Sequence, residues 1–150
     1  MTNGVYQVVA NPTNLVRYYL AKTQRLRAIN PQVKVAYHSD GMIAPIIPEL
    51  IEIGVDVLNP IQPASMDPAE IKCEFGDKLC FWGSIDEQYT LPFGSPDEIR
   101  REVKKRLKTI GKKGGLILAP TRHVQLDTPM ENFLAMQRTI TETSYSDINM

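Results

Sequence analysis

The order of elements predicts an α/β fold: one helix, then four parallel β-strand-then-helix units, which is half the repeat of a TIM (β/α)8 barrel. Two observations predict it. Short β-rich runs recur at residues 33–37, 55–58, 79–82 and 116–119, each flanked by Gly or polar residues and each too short to be a helix. Continuous apolar runs of that length suit parallel strands buried on both faces. Between and after them lie segments that open with one repeated helix-start signal, and β alternating with α over short connections predicts right-handed crossovers in a parallel sheet.

The opening helix is expected over residues 14–28, using Leu15, Tyr18, Tyr19, Leu26 and Ile29. The helix after Gly41 carries Pro45 and Pro48 early, then Leu50, Ile51 and Ile53, and should stop at Gly54. Asp67-Pro68-Ala69-Glu70 offers an N-cap Asp, a Pro at the first helical position and an acid in the first turn. Ser95-Pro96-Asp97-Glu98 repeats the pattern, and Thr128-Pro129-Met130-Glu131 is a near copy. In each, the cap oxygen satisfies a free backbone N–H, Pro has no N–H to waste, and the acid favours the positive end of the helix dipole. After Ser95, Ile99, Val103, Leu107 and Ile110 form one apolar stripe, and the basic run Arg100, Arg101, Lys104, Lys105, Arg106 and Lys108 reads as a solvated face. Residues 1–150 read as one domain, with an irregular and disordered tail at 144–150.

Composition narrows the partners. Seventeen basic and seventeen acidic residues give a formal net charge of +0, which argues against nucleic acid or an anionic membrane as the main partner. No apolar run approaches the roughly 18 residues that span a bilayer. The N-terminus shows no basic region followed by an apolar stretch, so no secretory signal is expected. Cys73 and Cys80 are too few for a disulfide framework and lack Cys-x-x-Cys spacing. They read as core residues in a reduced, cytoplasmic setting.

In α/β folds chemistry sits beyond the carboxyl ends of the strands. Those ends lead into four polar loops: His38-Ser39-Asp40-Gly41, Asn59-Pro60-Ile61-Gln62-Pro63, Gly83-Ser84-Ile85-Asp86-Glu87-Gln88 and Pro120-Thr121-Arg122-His123-Val124-Gln125. Both histidines of the chain fall there. His38 and Asp40 project together only if the loop leaves strand geometry at Ser39, which Gly41 makes feasible. Imidazole and carboxylate are suitable zinc ligands. Asp40 is equally suited to capping the following helix. Asp86 could hydrogen-bond a substrate or simply form a turn, and Gln62 and Gln125 are further substrate-binding candidates. Strand alternation sends Phe81 and Trp82 to opposite faces, and both read as core.

With these loops in place, the chain resembles the C-terminal half of the uroporphyrinogen decarboxylase superfamily. The resemblance runs from Val33 to Met136 and rests on the order of its pieces. These are the His38 loop, Ile53-Gly54-Val55-Asp56-Val57-Leu58-Asn59, Phe75-Gly76-Asp77-Lys78 and Trp82-Gly83-Ser84-Ile85-Asp86. Leu91-x-x-Gly94-Ser95-Pro96-Asp97-Glu98, Gly114-Gly115-Leu116-Ile117 and Thr128-Pro129-Met130-Glu131-Asn132 complete it.

The resemblance implies one of two activities. One branch decarboxylates uroporphyrinogen III without a metal. The other comprises zinc-dependent methyltransferases that move methyl groups between corrinoid proteins and thiols or other acceptors. That branch carries His-x-Cys after one strand and a further Cys near the last. Here His38 matches the histidine, Asp40 stands in place of the Cys, and His123 falls near the last ligand, where decarboxylases also carry a histidine. These departures argue against thiolate-type zinc binding, while His38, Asp40 and His123 form a chemically reasonable set for zinc as Lewis acid or thiol activator. The decarboxylase's Arg-rich loop and catalytic Asp belong to an N-terminal half with no counterpart here. The His38 loop is closer to the methyltransferase side, so the resemblance implies a methyltransferase with a corrinoid protein as partner. The alternatives are a uroporphyrinogen decarboxylase or a truncated half-barrel inactive alone. Four strands with open edges imply association with an N-terminal half-barrel or a second copy.

Overall fold

The computed structural model describes residues 12–148. Helix α1 (Pro12–Ile29) leads into β1 (Ala36–His38), a 3-10 turn (Ala44–Ile46) and α2 (Ile47–Glu52). Strand β2 (Val57–Ile61), α3 (Pro68–Phe75), β3 (Cys80–Ile85), α4 (Thr90–Phe93), α5 (Pro96–Thr109), β4 (Leu116–Pro120), α6 (Met130–Glu142) and the short α7 (Tyr145–Ile148) complete the order. The strands form one parallel sheet in the order β1-β2-β3-β4. An opening helix, four parallel strands and their following helices are the predicted half of a TIM barrel.

Among the described residues, the helices cover one face of this sheet. Tyr37, Leu58, Phe81 and Leu116 stand in register across the four strands, and all belong to the core beneath the helices. Leu58 and Phe81 are completely buried there, beside Ile47, Leu50, Ile71 and Phe75. A second cluster joins Ile85 to Leu91, Ile99, Val103, Ala135 and Met136, seating α5 and α6 on the sheet's far end. The opposite face carries His38, Asn59, Trp82 and Ile117, and Trp82 and Ile117 remain 41% and 48% exposed. This would be the inner wall of a closed barrel.

Local signals explain most boundaries. Asp67 accepts a hydrogen bond from the Ala69 N–H at 2.7 Å and caps α3. Ser95 and Glu98 form a reciprocal capping box on α5. Gly54, at φ +87°, turns the chain out of α2 toward β2. Helix α1 is fastened to that turn: Thr23 Oγ1 donates to Ile53 O at 2.7 Å, and Arg27 donates to Gly54 O at 2.8 Å and to Asp56 at 2.9 Å.

Several expectations need correction. The first strand is shorter than residues 33–37 and ends on His38, so that histidine lies in the sheet rather than after it. Helix α6 begins at Met130 with Pro129 in the cap position and no side-chain cap, so Thr128 does not cap it. Arg106 is not on a solvated face: its guanidinium is buried against Glu102 Oε1 at 2.7 Å. Trp82 is not core, Cys73 is exposed and Cys80 half-buried. The inner face mixes Trp82 and Ile117 with the polar His38 and Asn59. In the tail, Ser144 accepts and donates around the Asp147 carboxylate to cap α7, and residues 149–150 lie outside the described residues.

Candidate functional site

The inner face opens at the carboxyl ends of the strands into a cavity of about 450 Å³, lined by His38, Asn59, Trp82, Ala119, Pro120, Thr121, Arg122 and His123. The sheet itself builds its walls. His38 ends β1, Asn59 stands beside it in β2, Trp82 projects from β3, and Ala119 and Pro120 end β4. Two further bonds extend the parallel ladders into the loops: Ser39 N–H donates to Asn59 O at 2.9 Å, and Thr121 N–H to Ile85 O at 2.8 Å. The two histidines are thereby brought to one cavity from strands separated by two others.

A short hydrogen-bond chain organises His38. Its Nδ1 lies 2.6 Å from Asn59 Oδ1, and Asn59 Nδ2 donates to the Trp82 carbonyl at 3.3 Å. Arg122, a permanently charged residue, lines the same cavity, and Trp82 supplies the apolar wall. A cavity of this kind suits a small molecule with an acidic or anionic end.

The other expected residues serve the loops around the cavity. Gln62 Oε1 accepts from the Gly41 N–H at 2.6 Å and so pins the loop that follows His38. Gln125 Nε2 donates to His123 O at 2.9 Å. The Asp86 carboxylate accepts from the N–H groups of Gln88, Tyr89 and Thr90 and from the Thr90 hydroxyl, which is the turn-forming role. Asp40 is exposed and is absent from the cavity lining. It does not cap the following helix either, because neither the 3-10 turn nor α2 has a side-chain cap.

Catalytic zinc takes three protein ligands and keeps one open position, and structural zinc takes four. The cavity offers two imidazoles, and no three His, Cys, Asp or Glu side chains come together among the described residues. Among the described residues the cavity therefore supplies two of the three or four ligands that such a site takes.

Asn59, Trp82 and Arg122 were not singled out for the site by sequence reasoning. Asn59 was read as the first residue of a loop, whereas β2 continues through it to Ile61. The available signal was its spacing: Val57 and Asn59 fall on one face, and a polar residue on the inner face of a strand implies that something polar meets it there.

No curated protein matches the chain. Among solved structures, a methyltransferase from Methanosarcina mazei superposes with a TM-score of 0.68 at 21% identity, over 88% of this chain and 37% of that one. The chain thus spans little more than a third of the length of that structure, and at this identity the likeness shows the fold. The uroporphyrinogen decarboxylase (URO-D) profile matches residues 13–143, nearly the whole of the described chain, and the protein accordingly belongs to the URO-D family.

Proposed function

We propose that this chain forms the C-terminal half of an enzyme that moves a methyl group between a corrinoid protein and a thiol or other acceptor. The observation that carries the reading is the grouping of His38, Arg122 and His123 around one cavity with an apolar Trp82 wall. The methyltransferase from Methanosarcina mazei, which shares the fold, supports it at the level of fold alone.

The residues account for activation of a thiol acceptor. A free thiol has a pKa of about 8.5, and the thiolate is the nucleophile. His38, with Nδ1 engaged by Asn59, accepts the S–H proton at Nε2. The imidazolium so formed and Arg122 hold the sulfur's negative charge. The S–C bond then forms as the methyl group leaves its donor, with the electron pair of the breaking bond staying on the donor. A corrinoid bound to a partner protein supplies the methyl group. Trp82, Ala119 and Pro120 give the cavity its apolar lining. The uncovered sheet face supports a site of which this chain provides one side, the other coming from an N-terminal half-barrel or a second copy.

A second reading is favoured by Arg122 with two imidazoles, which also suits the carboxylates of a tetrapyrrole. The two are separated by assaying the chain, alone and with an N-terminal half-barrel, for methyl transfer from a methylated corrinoid protein to a thiol and for uroporphyrinogen decarboxylation. Methyl transfer that falls by about 10²–10⁴-fold in His38→Ala is expected. Decarboxylation without methyl transfer establishes the second reading, and neither activity in either preparation refutes both.

A further inference from the structure

We propose that Asn59 is a positioning residue that holds His38 as the Nδ1–H tautomer, leaving Nε2 unprotonated for the cavity. The inference rests on the reading of His38 as the proton acceptor, and it specifies how that nitrogen is prepared. The Trp82 carbonyl can only accept a hydrogen bond, so the Asn59 group 3.3 Å from it is the amide NH2. That fixes the amide orientation and turns Oδ1 toward His38. Oδ1 in turn can only accept, so the His38 nitrogen 2.6 Å away carries its hydrogen. The flipped amide would set two oxygens against each other at Trp82. A neutral imidazole has one ring hydrogen, and with Nδ1 holding it Nε2 keeps its lone pair.

The parts of this chain are backed by the sheet. Asn59 pairs directly with His38 in the β1-β2 register, and its own carbonyl accepts the Ser39 N–H at 2.9 Å. Its neighbours Leu58 and Pro60 are buried in or under the sheet. Trp82 reaches Asn59 through its backbone carbonyl, which cannot rotate away as a side chain can. An orienting partner of this kind fixes both tautomer and ring direction. Among the described residues His123 has no such ring partner: the bond at its residue comes from Gln125 to its main-chain carbonyl.

The test reads the ring nitrogens of both histidines by long-range ¹H–¹⁵N NMR on the labelled chain, with no substrate or metal added. Wild-type His38 in its neutral form should show a protonated Nδ1 and an unprotonated Nε2. Asn59→Leu removes both hydrogen bonds and should shift the tautomer ratio about two- to tenfold toward Nε2–H. Asn59→Asp keeps an acceptor for Nδ1–H, so it should preserve the tautomer. That second variant carries the test if Asn59→Leu does not fold. His123 is the internal reference and should not change. A wild-type His38 protonated at Nε2, an unchanged ratio in Asn59→Leu, a switched tautomer in Asn59→Asp, or an equal change at His123 overturns the assignment. Because no turnover is measured, those results leave the methyltransferase reading standing. A correct tautomer in a protein that transfers no methyl group does the reverse.

Discussion

Replacing Gly54 with Ala tests how α1 is fastened to the sheet. Gly54 sits at φ +87°, and a Cβ built there would lie 2.6 Å from the Arg27 Nη1. The left-handed conformation costs an L-residue roughly 1–2 kcal/mol. The contact itself falls on the far end of a flexible side chain, so the guanidinium moves aside and gives up its bonds to Gly54 O and Asp56. With the Arg27 side chain 38% exposed, solvent screens that ion pair, and its loss adds about 0–1 kcal/mol. Ala also restricts the unfolded chain, which returns about 0.4–1 kcal/mol. The net loss is on the order of 1.5 kcal/mol, and at about 2–4 °C per kcal/mol for a chain of this size Tm should fall by roughly 3–6 °C.

Gly41 is the control. It has nearly the same φ, +85°, with nothing within 4 Å of a built Cβ, so Gly41→Ala carries the backbone cost without the displacement of Arg27. Urea unfolding followed by the fluorescence of Trp82, the single tryptophan, compares the two. Gly54→Ala should be the less stable by up to about 1 kcal/mol. In an Arg27→Ala background the two glycine variants should lose stability equally, because the displaced contact is already gone. Gly54→Ala as stable as wild type, or a gap from Gly41→Ala that survives Arg27→Ala, would refute the reasoning.

Two further outcomes are expected. Burial pushes the Asp56 carboxyl up, but the Val35 N–H, Arg27 and Lys34 outweigh it and hold the group below its ordinary range. A depressed carboxylate adds stability at neutral pH that is lost as pH falls through its folded pKa. Asp56→Asn should therefore be less stable at pH 7 and show a flatter acid limb in urea midpoints, and a parallel acid limb would contradict this. The chain alone should associate, because among the described residues β1 and β4 are open edges and the face bearing Trp82 and Ile117 is bare. Light scattering that gives a 16.9 kDa monomer with cooperative unfolding would contradict that.

What was legible in the sequence follows the range of the interaction involved. Caps at Asp67 and Ser95 were readable because donor and acceptor lie within three residues of each other. The same pattern at Thr128-Pro129 failed because a distant contact sets the start of α6: Asn132 Nδ2 donates to Leu91 O and Gly94 O at 2.9 and 2.7 Å, locking that first turn onto the end of α4. Arg106 was misread for a related reason. A basic run on a helix looks solvated until a neighbour covers one member, and Glu102 one turn earlier neutralises it there. Alternation in β3 correctly separated Phe81 from Trp82, yet it carries no label saying which face the helices cover. Only the buried register of Tyr37, Leu58, Phe81 and Leu116 assigns that.

The same uncertainty about faces hid the site's organisation and left its two histidines looking equivalent. Their tethers differ. His38 lies in a strand, is followed by a ladder bond from Ser39, and has its ring nitrogen held by Asn59. His123 lies three residues beyond β4, in a loop whose bond at that point is to its backbone from Gln125. Proton transfer depends on a donor and acceptor held to within a few tenths of an ångström, whereas charge and hydrogen-bond complementarity tolerate looser placement. The division of labour follows from this difference in support. On the proposed reading, His38 is the group suited to act on a proton at a fixed place, and His123 with Arg122 the pair suited to substrates whose charged ends vary in position.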